Sequence, residues 1–305
     1  MRGWLELQAV PVGERRALLV AQPDRIAAAG MSWEAASAWL SGPLDAAAWT
    51  ALVPSMGYMA RLRNLRNFDD AGMDDETAAG VAASLADPAE VARSRQLPYR
   101  FLSAYLAVSS VRWQPALEHA LEAATGNVPA LPGRTLVLVD TSASMNGYAY
   151  SAQSTVTPAR AAALFGVALA VKGAGIGAEV DLVGFADGTF PHRIRRGASV
   201  LREVERFVAR TGEVGHGTRI AEAVHASYRG HDRVVILTDM QTFAGGRVTD
   251  AVPRHVPMYG FNVVAYGTTA LNAGGANRHE FGGLTDVTFT LLAMVERGER
   301  ADWPF

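Results

Sequence analysis

The chain contains no cysteine. That excludes disulfides, thiolate metal sites and cysteine nucleophiles, and it is compatible with a reducing compartment. Lysine is nearly absent too. Lys172 is the only one, so the basic character rests on arginine, whose planar fork suits bidentate phosphate contacts better than an ammonium does. Charge of one sign is also scarce: the formal net charge is −2. The chain as a whole is no polycation, and any nucleic-acid contact must come from a local patch. No segment approaches the roughly 18 uninterrupted apolar residues of a membrane span. The opening Met1-Arg2-Gly3-Trp4 leads into no apolar run of signal-peptide length. These absences predict a cytoplasmic protein without a membrane partner.

What is present is a 305-residue chain, 49% hydrophobic, long enough for two domains with sizeable cores. Two textures meet near Asn127-Val128-Pro129-Ala130-Leu131-Pro132-Gly133. Residues 1–130 read as short helices. Ser32 can cap one through Trp33, Ala36 and Leu40, Asp45 one through Trp49, Leu52 and Val53, and Asp74 one through Val81 and Leu85, stopped near Pro88. The stretch Met56 to Phe68 places Met59, Leu62 and Leu65 on one helical face. Further helices follow Pro98, with Phe101, Leu102, Tyr105, Leu106 and Val108, and Trp113, with Leu117, Leu121 and Ala124. Short helices joined by tight turns predict a HEAT-like α-helical repeat segment. Trp33, Trp39, Trp49 and Trp113 fall on helical periodicity and belong to the core.

Residues 131–305 alternate strands with helices. The expected strands are Thr135 to Val139, Glu179 to Phe185, Arg233 to Thr238 and Phe261 to Tyr266. The expected helices are Pro158 to Val171, Leu201 to Ala209, Arg219 to Tyr228 and Val287 to Glu296. That order predicts a doubly wound parallel sheet, with its ligand at the carboxyl ends of the strands. The fold class is therefore α + α/β.

Asp140 ends the first strand and opens Asp140-Thr141-Ser142-Ala143-Ser144-Met145, a D-x-S-x-S loop. Gly215-His216-Gly217-Thr218 precedes a helix and brings another hydroxyl. Asp239 follows Val234-Val235-Ile236-Leu237-Thr238 at another strand end. Carboxylates and hydroxyls gathered at one sheet edge suit a hard cation, Mg²⁺ or Mn²⁺. The constellation resembles the metal-ion-dependent adhesion site of von Willebrand factor A domains. A plainer alternative is that Ser142 and Ser144 merely cap a helix and Asp140 merely ends a strand, but this leaves oxygen ligands in separate loops unexplained. A hydrolase is disfavoured, because no G-x-S-x-G elbow exists and nothing orders a base beside a serine. Gly173, Gly175 and Gly177 come after a helix and before a strand, the reverse of a dinucleotide loop, and read as a helix stop.

Leu131-Pro132-Gly133-Arg134 leading into Val137-Leu138-Val139-Asp140-Thr141-Ser142-Ala143-Ser144-Met145 resembles the Ro 60 kDa autoantigen family, the TROVE-module proteins. So do Leu237-Thr238-Asp239-Met240-Gln241-Thr242-Phe243-Ala244-Gly245-Gly246, Met56-Gly57-Tyr58-Met59-Ala60-Arg61-Leu62-Arg63-Asn64-Leu65-Arg66-Asn67 and Phe101-Leu102-Ser103-Ala104-Tyr105. The resemblance implies a non-catalytic RNA-binding protein. In that family a helical-repeat ring is closed by the A domain. Y-type non-coding RNA binds its outer face, and single-stranded ends of structured RNA enter the hole. Bacterial relatives work with exonucleases in RNA quality control and stress survival. The implied metal ligands fall on Asp140, Ser142, Ser144, Thr218 and Asp239. Two departures stand out. The family's helical segment is much longer, so a closed ring is not implied and whether Met1 is the native start stays open. His216 stands where the resemblance implies glycine, and its side chain is expected to narrow access to the metal.

Arg61, Arg63 and Arg66, with 63 and 66 one turn apart on one face, are candidate phosphate contacts; the alternative is an ion-paired helix face, with Asp69 and Asp70 as partners. Arg93, Arg95 and Arg100 raise the same two readings. At the level of function, an RNA-binding protein of the Ro type stands beside a metal-dependent protein–protein adaptor holding a partner's acidic residue.

Overall fold

The computed structural model describes residues 2–147, 156–241, 247–264, 271, 277–284 and 286–298. The chain forms two compact units: Met1–Ser94 with Ala107–Ala120, and Arg95–Leu106 with Leu121–Phe305. The expected single boundary at 130/131 is therefore replaced by an interleaved one. Its cause lies in the second unit. Pro98 and Tyr99 sit beside Ala161, Leu164 and Phe165. Asn127 donates to the Gln96 carbonyl at 2.8 Å, and the Val200 amide donates to Glu122 at 2.9 Å.

The helices preceding the sheet are α1 (Arg2–Gln8), α2 (Val12–Ala21), α3 (Pro23–Ala28), α4 (Trp33–Leu40), α5 (Ala46–Leu52), α6 (Tyr58–Arg63), α7 (Leu65–Asp70), α8 (Asp75–Ala86), α9 (Pro88–Ser94), α10 (Pro98–Ala107) and α11 (Gln114–Ala124). The expected caps form: Ser32, Asp45 and Asp74 accept from the amides of Ala35, Ala48 and Thr77, satisfying donors that a helix start leaves orphaned. Helices α1 to α3 and α9 were not foreseen. A chain of aromatic contacts holds the first unit together. Trp33 meets Trp49 at 5.6 Å, Trp49 meets Phe68 edge-on at 5.0 Å, and Phe68 lies 6.4 Å from Trp113. Buried indoles need partners for their N–H groups. Trp39 donates to the Leu7 carbonyl at 2.9 Å, and Trp113 donates to the Asp69 carboxylate.

The single helix expected over Met56 to Phe68 is two. Asn64, at φ −103° and ψ 7°, lies between α6 and α7. Its side chain donates to the Ala60 carbonyl at 2.8 Å and accepts from Asn67 at 2.7 Å. Such local side-chain bonds compete with helix continuation. Arg63 therefore ends one helix and Arg66 lies in the first turn of the next, rather than sharing one helical face.

The second unit is built on six strands: β1 (Arg134–Asp140), β2 (Glu179–Phe185), β3 (Thr189–His192), β4 (Arg233–Thr238), β5 (Met258–Asn262) and β6 (Arg278–Gly282), in the order β3-β2-β1-β4-β5-β6. Its later helices are α12 (Pro158–Gly175), α13 (Val200–Val208), α14 (Ile220–Ser227) and α15 (Asp286–Glu296). All strand pairs are parallel except β2–β3, which is antiparallel. Strands β3 and β6 were not foreseen. The strand expected over Phe261 to Tyr266 instead runs Met258–Asn262; Ala265 and Tyr266 lie outside the described residues. Helices cover both faces. Leu136, Leu138 and Ile236 pack with Ile220 and Val224 of α14, while the alternating Val137 and Val139 face Gly166 of α12, as the two-residue period of a strand requires. Phe165 of α12 stacks on Phe289 of α15 at 3.8 Å. Helix α12 stops at Gly175 and the chain turns through Gly177 at φ +72°, as expected for a stop rather than a nucleotide loop.

One close approach can be tested. A Cβ added to Gly184 on β2 would lie 2.1 Å from the ring of Phe190, its partner across β3. Gly184→Ala must displace the ring, and overpacking of this kind costs about 1–3 kcal/mol. Urea unfolding is expected to show that loss; a variant as stable as the wild type would show that the ring leaves its seat freely.

Candidate metal centre

The chain enters the sheet in the middle, on β1, steps outward to β2 and β3, and returns to β4 on the other side of β1. Parallel β1 and β4 pair with Val139 opposite Leu237. Their carboxyl ends thus flank the point where strand order reverses, the place where open α/β sheets receive ligands. Asp140 ends β1 and Asp239 follows β4, both fully buried.

Asp140 accepts from the Ser142 amide at 2.8 Å through Oδ1 and from the Thr238 hydroxyl at 2.5 Å through Oδ2. Burial pushes its carboxyl up to about 6, against the pull of the Ser142 and Thr238 hydrogen bonds and with a further push from the Asp239 charge. Ser142 Oγ lies 3.2 Å from Ser144 Oγ. Asp239 Oδ1 accepts from the Gln241 amide at 3.1 Å, but Oδ2 is buried without a hydrogen-bond partner among the described residues. Met240 turns sharply at φ +63°, its amide donating to Thr238 Oγ1 at 3.2 Å. A buried methionine in the left-handed region is strained by about 1 kcal/mol or more. Thr242 to Gly246, the remainder of that motif, lie outside the described residues.

The second loop is positioned by a residue that the sequence reading missed. Asp187, in the turn between β2 and β3, accepts from the amides of His216 and Gly217, each at 3.0 Å. These two bonds, Gly217's first, hold its carboxyl below the usual carboxylate range. The His216 carbonyl in turn accepts from Ala143 at 3.2 Å, tying the second loop to the first. Gly215 sits at φ +94°, and a Cβ there would come within 2.2 Å of Asp187 Oδ2, so the clamp requires glycine. Thr218, buried, follows at once. The His216 ring lies against Gly212. Thr238, which anchors Asp140, was also missed; the only signal was a lone hydroxyl ending an apolar strand.

Among the described residues no group of three or more His, Cys, Asp or Glu side chains gathers. The edge offers two buried carboxylates with neighbouring hydroxyls. An oxygen-only donor set with one buried carboxylate oxygen lacking any donor fits a hard divalent cation.

The arginines proposed from sequence lie elsewhere. Arg61 is half-buried and donates to Ser84 at 2.5 Å. Arg63 and Arg66 are exposed and make no ion pair or hydrogen bond among the described residues. The expected pairing with Asp69 does not form, because Asp69 is taken by Arg112 at 2.6 Å and by Trp113. Arg93 pairs with Glu90. Arg95 is exposed at φ +55°, and Arg100 is exposed.

Comparison with known proteins gives two findings. Residues 32–114 match the model of the TROVE domain family. The chain also superposes on the crystal structure of the Ro protein of Deinococcus radiodurans with a TM-score of 0.69 at 22% identity, covering 93% of this chain and 64% of that one. This second likeness shows the fold: helical repeats followed by a von Willebrand A-like sheet. The chain thus spans less than two thirds of that relative's length. An aerotolerance-related membrane protein of Bacteroides fragilis and the hypothetical protein BatB of Bacteroides thetaiotaomicron each align at 13% identity, over 54% of this chain and 97% and 98% of theirs. Their TM-scores of 0.36 and 0.34 carry no argument. No curated protein matches.

The unpartnered oxygen of Asp239 leads to a prediction about the metal-free protein. Asp239→Asn removes a buried charge that is hydrogen-bonded on one oxygen only, while keeping the acceptor for Gln241. Unfolding in EDTA is expected to show a gain of about 1–3 kcal/mol. A loss would mean that the charge is already compensated.

Proposed function

Taking residues 32–114 as a segment of the TROVE domain family, we propose that this protein binds RNA in the manner of Ro proteins and performs no catalysis of its own. Its ligand is a small non-coding or structured RNA with a single-stranded end, Y-like in character. Its setting is RNA quality control or the stress response in the cytoplasm, with an exonuclease as a protein partner. The observation that carries this reading is the family match over the segment that displays Arg63 and Arg66 free at the surface. Guanidinium groups without a carboxylate partner are available to phosphates.

The sheet unit, in the same proposal, holds Mg²⁺, or Mn²⁺, through Asp140, Ser142, Ser144, Thr218 and Asp239. When bound, such an ion offers an open coordination position to an acidic oxygen. Asp140 and Asp239 supply the charge, Thr238 orients Asp140, and Asp187 holds the backbone leading to Thr218. A second reading is an adaptor that binds a partner's Asp or Glu at this edge; the net charge of −2 favours it.

Two experiments test these proposals. Mg²⁺ is expected to raise the melting temperature, by an amount equivalent to about 2.7 kcal/mol at a hundredfold excess over Kd. Asp140→Ala should abolish the rise and Asp239→Ala weaken it. A wild-type melt indifferent to both EDTA and Mg²⁺ speaks against the ion. For RNA, filter binding at two salt concentrations should give a log–log slope of about −2, from two or three neutralised phosphates. Arg63→Glu with Arg66→Glu should weaken binding to every sequence alike, since phosphate contacts carry no sequence information. Failure of the wild type to bind RNA at low salt would leave the adaptor reading.

A further inference from the structure

The loop after β3 reads His192-Arg193-Ile194-Arg195-Arg196-Gly197 and runs into α13, which carries Arg202 in its first turn. Strand β3 is antiparallel to β2, with His192 opposite Leu182. The loop therefore leaves toward the amino ends of the parallel strands, away from Asp140 and Asp239. Arg193, Arg195, Arg196 and Arg202 are all exposed. None of their side chains makes an ion pair or hydrogen bond among the described residues.

The carboxylates in this stretch do not neutralise them. Glu203 is buried and accepts from the Arg206 guanidinium, from His192 Nε2 at 3.1 Å and from the Arg195 amide. Arg206 donates as well to the Arg193 carbonyl. Glu205 is engaged by Arg160 through two bonds, 3.0 and 2.9 Å long. The buried Glu203 thus staples the arginine loop onto α13 while its own charge is spent inside. Arg202 stands one turn before Arg206 on the same helix face, and Arg206 touches the loop, so loop and helix arginines belong to one surface. Beside it, a cleft of about 580 Å³, lined in part by Arg193, His192 and Arg229, adjoins β2 and β3.

We propose that this arginine loop and the first turn of α13 form a second RNA-binding surface, one that grips the phosphate backbone of a single strand, on the sheet unit and apart from its metal edge. The inference rests on the RNA reading above and places RNA contacts in a part of the chain which that reading does not use. Unpaired arginines carried by one short loop and the first turn of the helix it is stapled to, on a chain of near-zero net charge, form a local polycation. Guanidinium forks match phosphate oxygens two at a time. A pinned loop loses little conformational freedom on binding, which favours affinity. Backbone contacts of this kind position an RNA without reading its bases.

The test is fluorescence anisotropy of a labelled oligouridylate in EDTA, which silences the metal edge, at several salt concentrations. Arg193, Arg195, Arg196 and Arg202 changed together to Gln should weaken binding at least tenfold. Four lost phosphate contacts should make the log–log salt slope about 3 less steep. Arg63→Glu with Arg66→Glu is the companion variant. Unchanged affinity and slope in the quadruple variant, with a loss in the companion, overturns this surface and leaves the RNA reading standing. No binding by the wild type at low salt overturns both. Binding of polyglutamate that displaces the RNA from wild type, but not from the quadruple variant, would assign the patch to an acidic protein and also overturn the proposal. Should the quadruple variant melt early, the four single Arg→Gln variants replace it, each expected to make the slope about 0.7 less steep.

Discussion

Two carboxylates buried at the ends of neighbouring parallel strands set the terms for one whole edge of this molecule. Removing an ionised carboxylate from water costs several kcal/mol unless hydrogen bonds or a counter-charge compensate. Asp140 is compensated by Ser142 and Thr238; Asp239 is compensated on one oxygen only. The features around them follow from that constraint. Met240 accepts a strained backbone that keeps its amide on Thr238. The second loop is held by Asp187 from outside, with Gly215 giving the room. The pair is a poor arrangement for stability alone, which is why it reads as a site.

A buried carboxylate is used differently at the other end of the strands. Glu203 is fully compensated by Arg206, His192 and a backbone amide. Its work is organisation: it fixes the course of a loop whose arginines then face water. One edge thus carries two buried carboxylates, one of them with an oxygen that accepts no hydrogen bond among the described residues. The other carries arginines whose side chains make no ion pair among the described residues. The net charge of −2 conceals this division, because net charge sums over surfaces that never meet the same ligand.

How much of this was legible in the sequence depended on burial. Strands β2 and β4 were read to the residue, and β1 to within one at each end. Each is an interior strand paired on both sides, β1 and β4 by parallel neighbours and β2 by parallel β1 and antiparallel β3, and β1 and β4 are apolar almost throughout. Strands β3 and β6 were not legible. Thr189–His192 contains Pro191, Arg278–Gly282 is largely polar, and both sit at sheet edges, where pairing rather than composition makes the strand. The cap residues Ser32, Asp45 and Asp74 were legible because capping chemistry is local. The break at Asn64 was not, because periodicity continued through it while a side chain bonded back to Ala60. At the candidate metal edge, Asp140, Ser142, Ser144, Thr218 and Asp239 were nominated by motif. Asp187 did not, since its role depends on a turn folding back across the sheet. The arginine loop escaped notice for the opposite reason: arginine is common in this chain, and only the pairing of Glu203 and Glu205 elsewhere reveals which arginines are left over.

The aromatic contacts of the helical unit have an optical consequence. Trp4, Trp33, Trp39, Trp49 and Trp113 all belong to that unit. The sheet unit has no tryptophan among its described residues; Trp303 lies outside them. Five of the six indoles of the chain therefore report on the helical repeats. Trp33 and Trp49, with ring centroids 5.6 Å apart, are close enough for their electronic transitions to couple, giving the helical unit a near-ultraviolet dichroic signature of its own. The molecule thus carries a built-in chromophore whose dichroism follows the melting of its repeats without any added label.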